Sequence, residues 1–277
     1  MLIRSHQSTG ISLVNGGGAA RLMGLTGGRV YLNERRVNII DETGVSAGAI
    51  KTMCSMAGLH DVGQLTDLVL EFFPKPVPDL LAKLWNHPLN MMRLVVGDGL
   101  TDMLPRIGTP PFSFPSGQRM DLVPIMRKVW KQLGLKKPRK GFRFIATNEY
   151  GSPIAFPAVD GDDYDGPLAV AASCTIPYLF KPPQCLVRGR MTQLFDGGVF
   201  HPHPAHWSPT RAIVFQLLWL PLYKNHKSDI EVFVGKAGFP PMSRLTRQII
   251  DDLVRCGYDQ AKAALEGPIN KGLIPCK

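Results

Sequence analysis

Residues 42–50 read Glu-Thr-Gly-Val-Ser-Ala-Gly-Ala-Ile, and the centre of this stretch, Gly44-Val45-Ser46-Ala47-Gly48, is a G-x-S-x-G. Just before it, Val37–Asp41 (V-N-I-I-D) is a short apolar run that reads as a strand. Just after it, A-G-A-I-K-T-M-C-S-M-A is rich in small residues and reads as a helix. A strand, a sharp turn through a serine and a helix form the setting in which a serine hydroxyl is presented as a nucleophile. The pattern alone is common, and a plain glycine-rich turn has the same letters. The group that takes the proton of Ser46 must be sought elsewhere in the chain.

Two further glycine-rich turns each follow an apolar run. Ile11–Val14 leads into Asn15-Gly16-Gly17-Gly18, and Thr192–Asp196 leads into Asp196-Gly197-Gly198. Acyl transfer by serine needs an activated hydroxyl, a base, and N–H donors for the oxyanion. Successive glycines at 16–18 let backbone amides converge on one point without a Cβ penalty. Asp196, at the end of a strand, is placed to present its carboxylate over the same sheet edge. The small residues Gly44, Gly48, Gly197 and Gly198 permit the close approach that such turns require. A nucleotide phosphate loop is excluded. No G-x-x-x-x-G-K-[ST] follows, and Gly16-Gly17-Gly18 is not G-x-G-x-x-G.

The rest of the chain alternates between the two periodicities. Asp121–Leu133 is an expected amphipathic helix, and Phe142–Thr147 and Pro153–Ala158 are expected strands. Leu168–Ser173 is small and apolar, and Arg211–Leu220 is a strongly buried strand in pattern. Leu245–Leu265 carries apolar residues at helical spacing. Alternation without repeats or a dividing linker predicts one α/β domain over residues 1–277, a three-layer αβα fold with a central, mostly parallel sheet. Residues 72–117 interrupt the pattern with many prolines and with Met91, Met92 and Met103. They read as a connecting insertion or as an apolar cap over a site.

Composition narrows the class. The chain has 277 residues, 44% of them hydrophobic, enough for a substantial core in one large domain or two small ones. No apolar run reaches the roughly 18 residues that span a bilayer, and the N-terminal residues show no secretory apolar core, so a cytoplasmic protein is expected. Five widely spaced cysteines without a C-x-x-C read as reduced thiols, with neither a disulfide framework nor a zinc site. The net charge of +10 favours a polyanionic partner. Its clearest cluster is Lys136, Lys137, Arg139, Lys140 and Arg143, which reads first as a solvated loop between helix and strand and second as a polyanion-binding patch. No zinc-finger spacing or aromatic RNA-binding strand accompanies it, so an anionic membrane surface is the better partner and nucleic acid the weaker one.

Taken in order, G-G-G-A at 16–19, G-V-S-A-G-A at 44–49, A-A-S-C-T-I-P-Y-L-F-K-P at 171–182 and D-G-G-V at 196–199 resemble the patatin-like phospholipase family. The resemblance spans roughly residues 11–220. It implies a Ser–Asp dyad without histidine, with Ser46 as acyl nucleophile, Asp196 as base and Gly16, Gly17 and Gly18 as oxyanion hole. It implies a membrane phospholipid or lysophospholipid as substrate, and neither cofactor nor metal. In the family a basic residue follows two positions after the triple glycine. Here Ala19-Ala20-Arg21 places it one position later, and Arg21 is the candidate for the supporting role.

Two other readings stand beside this one. An α/β-hydrolase triad would run Ser46, Asp196, then a histidine, for which His226, His201, His203 and His206 are candidates. Against it, Ser46 follows only about two strands, and the H-P-H-P-A-H run reads as an irregular segment rather than as a catalytic or metal-binding one. The other reading is a lipid-binding relative without turnover.

Overall fold

The computed structural model describes residues 10–18, 22–72, 120–158, 163–176, 180–187, 189–200, 204–216, 230–235 and 245–277. Its strands are β1 (Ile11–Asn15), β2 (Ile39–Val45), β3 (Phe142–Asn148), β4 (Pro153–Phe156), β5 (Gln184–Val187), β6 (Arg190–Asp196), β7 (Ala212–Gln216) and β8 (Ile230–Phe233). Its helices are α1 (Leu22–Glu34), α2 (Ala47–Met56), α3 (Val62–Phe72), α4 (Leu122–Gln132), α5 (Gly166–Ser173), the single turn α6 (Gly197–Phe200) and α7 (Arg247–Asn270).

The strands form one sheet in the order β5-β6-β3-β2-β1-β7-β8, with β4 beside β3. The run from β3 through β2, β1 and β7 to β8 is parallel, while β4, β5 and β6 are antiparallel additions. The fold is thus a mixed, mostly parallel sheet flanked by helices. Strand residues alternate between its faces, as a pleated sheet requires. Ile11, Leu13, Phe144, Ile213 and Phe215 join a large core with residues of α1, α2, α3, α4, α5 and α7. Val14, Ala212 and Val214 face the other way and meet Ala205 of the turn Pro204–Trp207.

Elements differ from their sequence patterns where tertiary pairing extends or trims them. β2 begins at Ile39 and runs through Gly44 to Val45, because pairing with β1 and β3 continues to those residues. The small apolar run before Cys174 is a helix, α5, and Asp165 caps it by accepting from the amide of Leu168 at 3.1 Å. Asp121 caps α4 in the same way at Val123. β4 stops at Phe156, and α7 continues to Asn270. β7 is described as Ala212–Gln216, and residues 217–220 of the expected longer strand lie outside the described residues. So does the proposed cap, beyond Phe72 at the end of α3.

Candidate active site

Ser46 occupies the turn between β2 and α2 with φ 55° and ψ −124°. Positive φ is costly for a residue with a Cβ, by about 1–3 kcal/mol, and persists only where surrounding contacts enforce it. Those contacts need glycine on either side. A Cβ on Gly48 would lie 2.0 Å from the carbonyl oxygen of Asn15, and one on Gly44 would lie 2.3 Å from that of Gly48. The spacing of the motif is therefore a packing requirement between strand and helix. Ser46 also stands at the N-terminus of α2, whose unpaired amides and dipole favour developing negative charge.

The sheet itself brings the aspartate to the serine. β4 occupies one edge of β3 over Phe144–Thr147, so β2 and β6 share the other edge end to end. β2 pairs Val45 with Ile145, and β6 pairs Asp196 with Ala146, the next residue of β3. The chain leaves this edge at Ser46 and reaches it again at Asp196. Gly197 permits the junction, since a Cβ there would sit 2.3 Å from the carbonyl of Ile145. Residues 150 positions apart thereby meet, and the Ser46 hydroxyl donates to Oδ2 of Asp196 at 2.7 Å. The other carboxylate oxygen, Oδ1, accepts from the amide of Gly198 at 2.6 Å. Asp196 is 2% exposed, and Ser46 is half-buried.

The triple glycine closes the third side. A Cβ on Gly17 would lie 3.2 Å from Cβ of Ser46 and 3.8 Å from its Oγ. Gly16 differs from its expected role. Its amide donates to the carbonyl of Phe215 at 2.9 Å, extending the β1–β7 ladder. Gly17 and Gly18 are the members of the turn whose amides make no described hydrogen bond. Arg21, His201, His203 and His226 lie outside the described residues. His206 is exposed and lies against Trp207 in a tilted arrangement, with ring centroids 4.8 Å apart. A triad would place an imidazole between hydroxyl and carboxylate. Here the two are bonded directly.

The basic cluster is elsewhere. Lys136, Lys137, Arg139 and Lys140 line a cleft of about 650 Å³ together with Pro157 and Tyr164. This loop precedes β3, so it sits at the end of the sheet opposite Ser46. Arg143 does not belong to that surface: it is buried and pairs with Asp41 at 3.8 Å.

The model of the patatin-like phospholipase family matches residues 14–206, which include the elbow, the triple glycine and Asp196-Gly197-Gly198. The chain belongs to the patatin-like phospholipase family. Among solved structures, this patatin-like chain is similar to VipD from Legionella pneumophila, with 14% identity and a TM-score of 0.48 over 96% of this chain and 70% of that one. It is also similar to the complex of ExoU and SpcU from the type III secretion system of Pseudomonas aeruginosa, with 14% identity and a TM-score of 0.44. That match covers 95% of this chain and 52% of the other, so the chain spans about half the length of that relative. No curated protein matches it.

Two sets of contacts in this patatin-like site have no counterpart in the motif reading. Asn15, 1% exposed and last in β1, donates from Nδ2 to Glu42 Oε1 and to Thr52 Oγ1, both at 2.9 Å. It ties the start of the glycine turn to β2 and to α2. The second set comes from residues 173–175. Ser173 stands inside the quoted A-A-S-C-T-I-P segment, yet nothing in its letters says which backbone groups it would touch.

Proposed function

We propose that the protein is a serine lipid acyl hydrolase acting on the fatty-acyl esters of membrane phospholipids or lysophospholipids. The observation that carries this reading is the 2.7 Å hydrogen bond from the Ser46 hydroxyl to Asp196 at a strained elbow within the family match. Ser46 Oγ attacks the ester carbonyl as its proton passes to Asp196 Oδ2. The amides of Gly17 and Gly18 receive the oxyanion, a contribution of about 3–4 kcal/mol per donor in comparable sites. Collapse of the tetrahedral intermediate breaks the ester C–O bond, and the departing alcohol takes the proton from Asp196. Water then attacks the acyl-serine as Asp196 accepts its proton, and the fatty acid leaves as that proton returns to Ser46. The dipole of α2 supports the charge that develops at Ser46 in both halves of the reaction. No step calls for a metal or a cofactor.

Peripheral binding to an anionic bilayer belongs to the same reading, and the net charge of +10 supports it. The docking face must lie at the end of the sheet that carries Ser46, which excludes the Lys136–Lys140 loop as the surface that hands over lipid.

Fatty-acid release from mixed phosphatidylcholine and phosphatidylglycerol vesicles tests the proposal. Ser46→Ala and Asp196→Asn should each lower it by at least about a thousandfold while the protein remains folded, and a chelator should leave the wild-type rate unchanged. Near-wild-type release by either variant would refute the dyad. His226→Ala should be silent, and a loss as deep as that of Ser46→Ala would restore the triad.

A further inference from the structure

We infer that Ser173, Cys174 and Thr175 form a clamp that positions both members of the dyad through their backbones, with the Ser173 hydroxyl as its central positioning group. The inference rests on the Ser46–Asp196 reading. Three consecutive residues make three contacts. The amide of Ser46 donates to Ser173 Oγ at 3.0 Å. The thiol of Cys174 donates to the carbonyl of Ser46 at 3.1 Å. The carbonyl of Thr175 accepts from the amide of Asp196 at 2.8 Å. One short turn thus holds both backbone polar groups of the nucleophile and the amide of its base.

The turn is in turn fixed to the sheet. The Ser173 hydroxyl spends its proton on the carbonyl of Ile145 at 2.6 Å. A lone pair of the same oxygen therefore accepts from the Ser46 amide. Ile145 is the β3 residue paired with Val45, immediately before Ser46, and its neighbour Ala146 pairs with Asp196. Thr175 Oγ1 donates to the carbonyl of Ala171 at 2.7 Å and closes the end of α5. Ser173 and Thr175 are fully buried. Burial raises the Cys174 thiol well above its ordinary range, and the Asp196 charge adds to this, so the sulfur stays protonated and remains a donor.

The clamp has a chemical consequence. Ser46 sits at φ 55°, a conformation that a residue with a Cβ leaves unless it is held. The Ser173 bond supplies the hold and also removes the Ser46 amide from the set available to an oxyanion. Loosening the elbow would let Oγ drift from Asp196, and a misplacement of about 1 Å can cost on the order of a hundredfold in rate.

The test uses the full chain, a p-nitrophenyl butyrate assay and the rate of inactivation by a fluorophosphonate, for wild type and for Ser46→Ala, Ser173→Ala, Ser173→Thr, Cys174→Ala and Cys174→Ser. Ser173→Ala is expected to lower kcat and the inactivation rate by about tenfold or more with KM unchanged. Ser173→Thr, which keeps the hydroxyl, should recover most of both. Should Ser173→Ala not fold, Cys174→Ala and Cys174→Ser carry the same comparison at the second contact, the serine variant keeping a donor. Wild-type rates in the variants lacking the polar group would overturn the clamp, and so would equal losses in the alanine variants and their polar partners. Turnover by Ser46→Ala would instead mean that the dyad reading itself has failed.

Discussion

Gly17 and Gly198 press against Ser46 from two sides, and their missing side chains are what leave the hydroxyl accessible. A Cβ on Gly198 would lie 3.2 Å from Cβ of Ser46 and 3.1 Å from Oδ1 of Asp196, and one on Gly17 would crowd Ser46 at the same 3.2 Å. Gly17→Ala is expected to lower kcat for a soluble ester by about tenfold or more with little change in melting temperature, because the added methyl crowds Ser46 on the side of its Oγ. Steady-state kinetics with a thermal melt checks this, and an unchanged kcat would remove Gly17 from the site. At this scale much of the candidate site's geometry is legible in the letters. Ser46, Asp196 and the glycines are small or charged residues in short, ordered motifs. Gly16 is the instructive exception: its amide goes to Phe215, a partner 199 positions away that no local pattern names.

The elements place these residues by sharing a strand edge. β2 and β6 approach β3 from opposite directions and abut at Ile145 and Ala146, and this junction depends on pairing register, which is invisible in a single run of sequence. The strand and helix patterns near the elbow were legible because apolar periodicity marks them. Helix α5 was not, since its small apolar residues carry no helical stripe and its cap, Asp165, lies before the run. Asn15 binds the elements beneath the site together through Glu42 and Thr52. Asn15→Ala would leave a buried carboxylate and a buried hydroxyl without this partner, a loss of about 1–3 kcal/mol in unfolding free energy. Urea denaturation reads it directly, and an unaltered midpoint would show that the network contributes no stability.

At the scale of the molecule, buried and exposed charged groups among the described residues have different consequences. Beside the nucleophile helix, burial lowers the pKa of His60 to about 4, with Lys51 and then Arg29 adding to the effect. The folded value lies below the ordinary 6.5, so the unfolded chain binds the proton more readily between those two values. Stability from neutral His60 is therefore complete above about pH 6.5 and is lost as pH falls towards 4, by about 1–2 kcal/mol once its partial exposure is allowed for. His60→Gln should flatten this part of the pH–stability profile, and an unchanged slope would assign it to other groups. The exposed cations of the Lys136–Lys140 loop lie at the far end from Ser46, so replacing Lys136, Lys137, Arg139 and Lys140 with glutamine should leave p-nitrophenyl butyrate hydrolysis within about twofold of wild type. The overall charge was readable from composition, but the place of the Lys136–Lys140 loop, at the end of the sheet opposite Ser46, was not. The predictions about turnover presuppose a live nucleophile at one position. Intact and peptide mass spectrometry after treatment with a fluorophosphonate is the most direct measurement of it. A single adduct is expected on Ser46 in the wild type, none in Ser46→Ala, and strongly slowed labelling in Asp196→Asn. An adduct on another residue, or undiminished labelling of Ser46→Ala, would contradict this expectation.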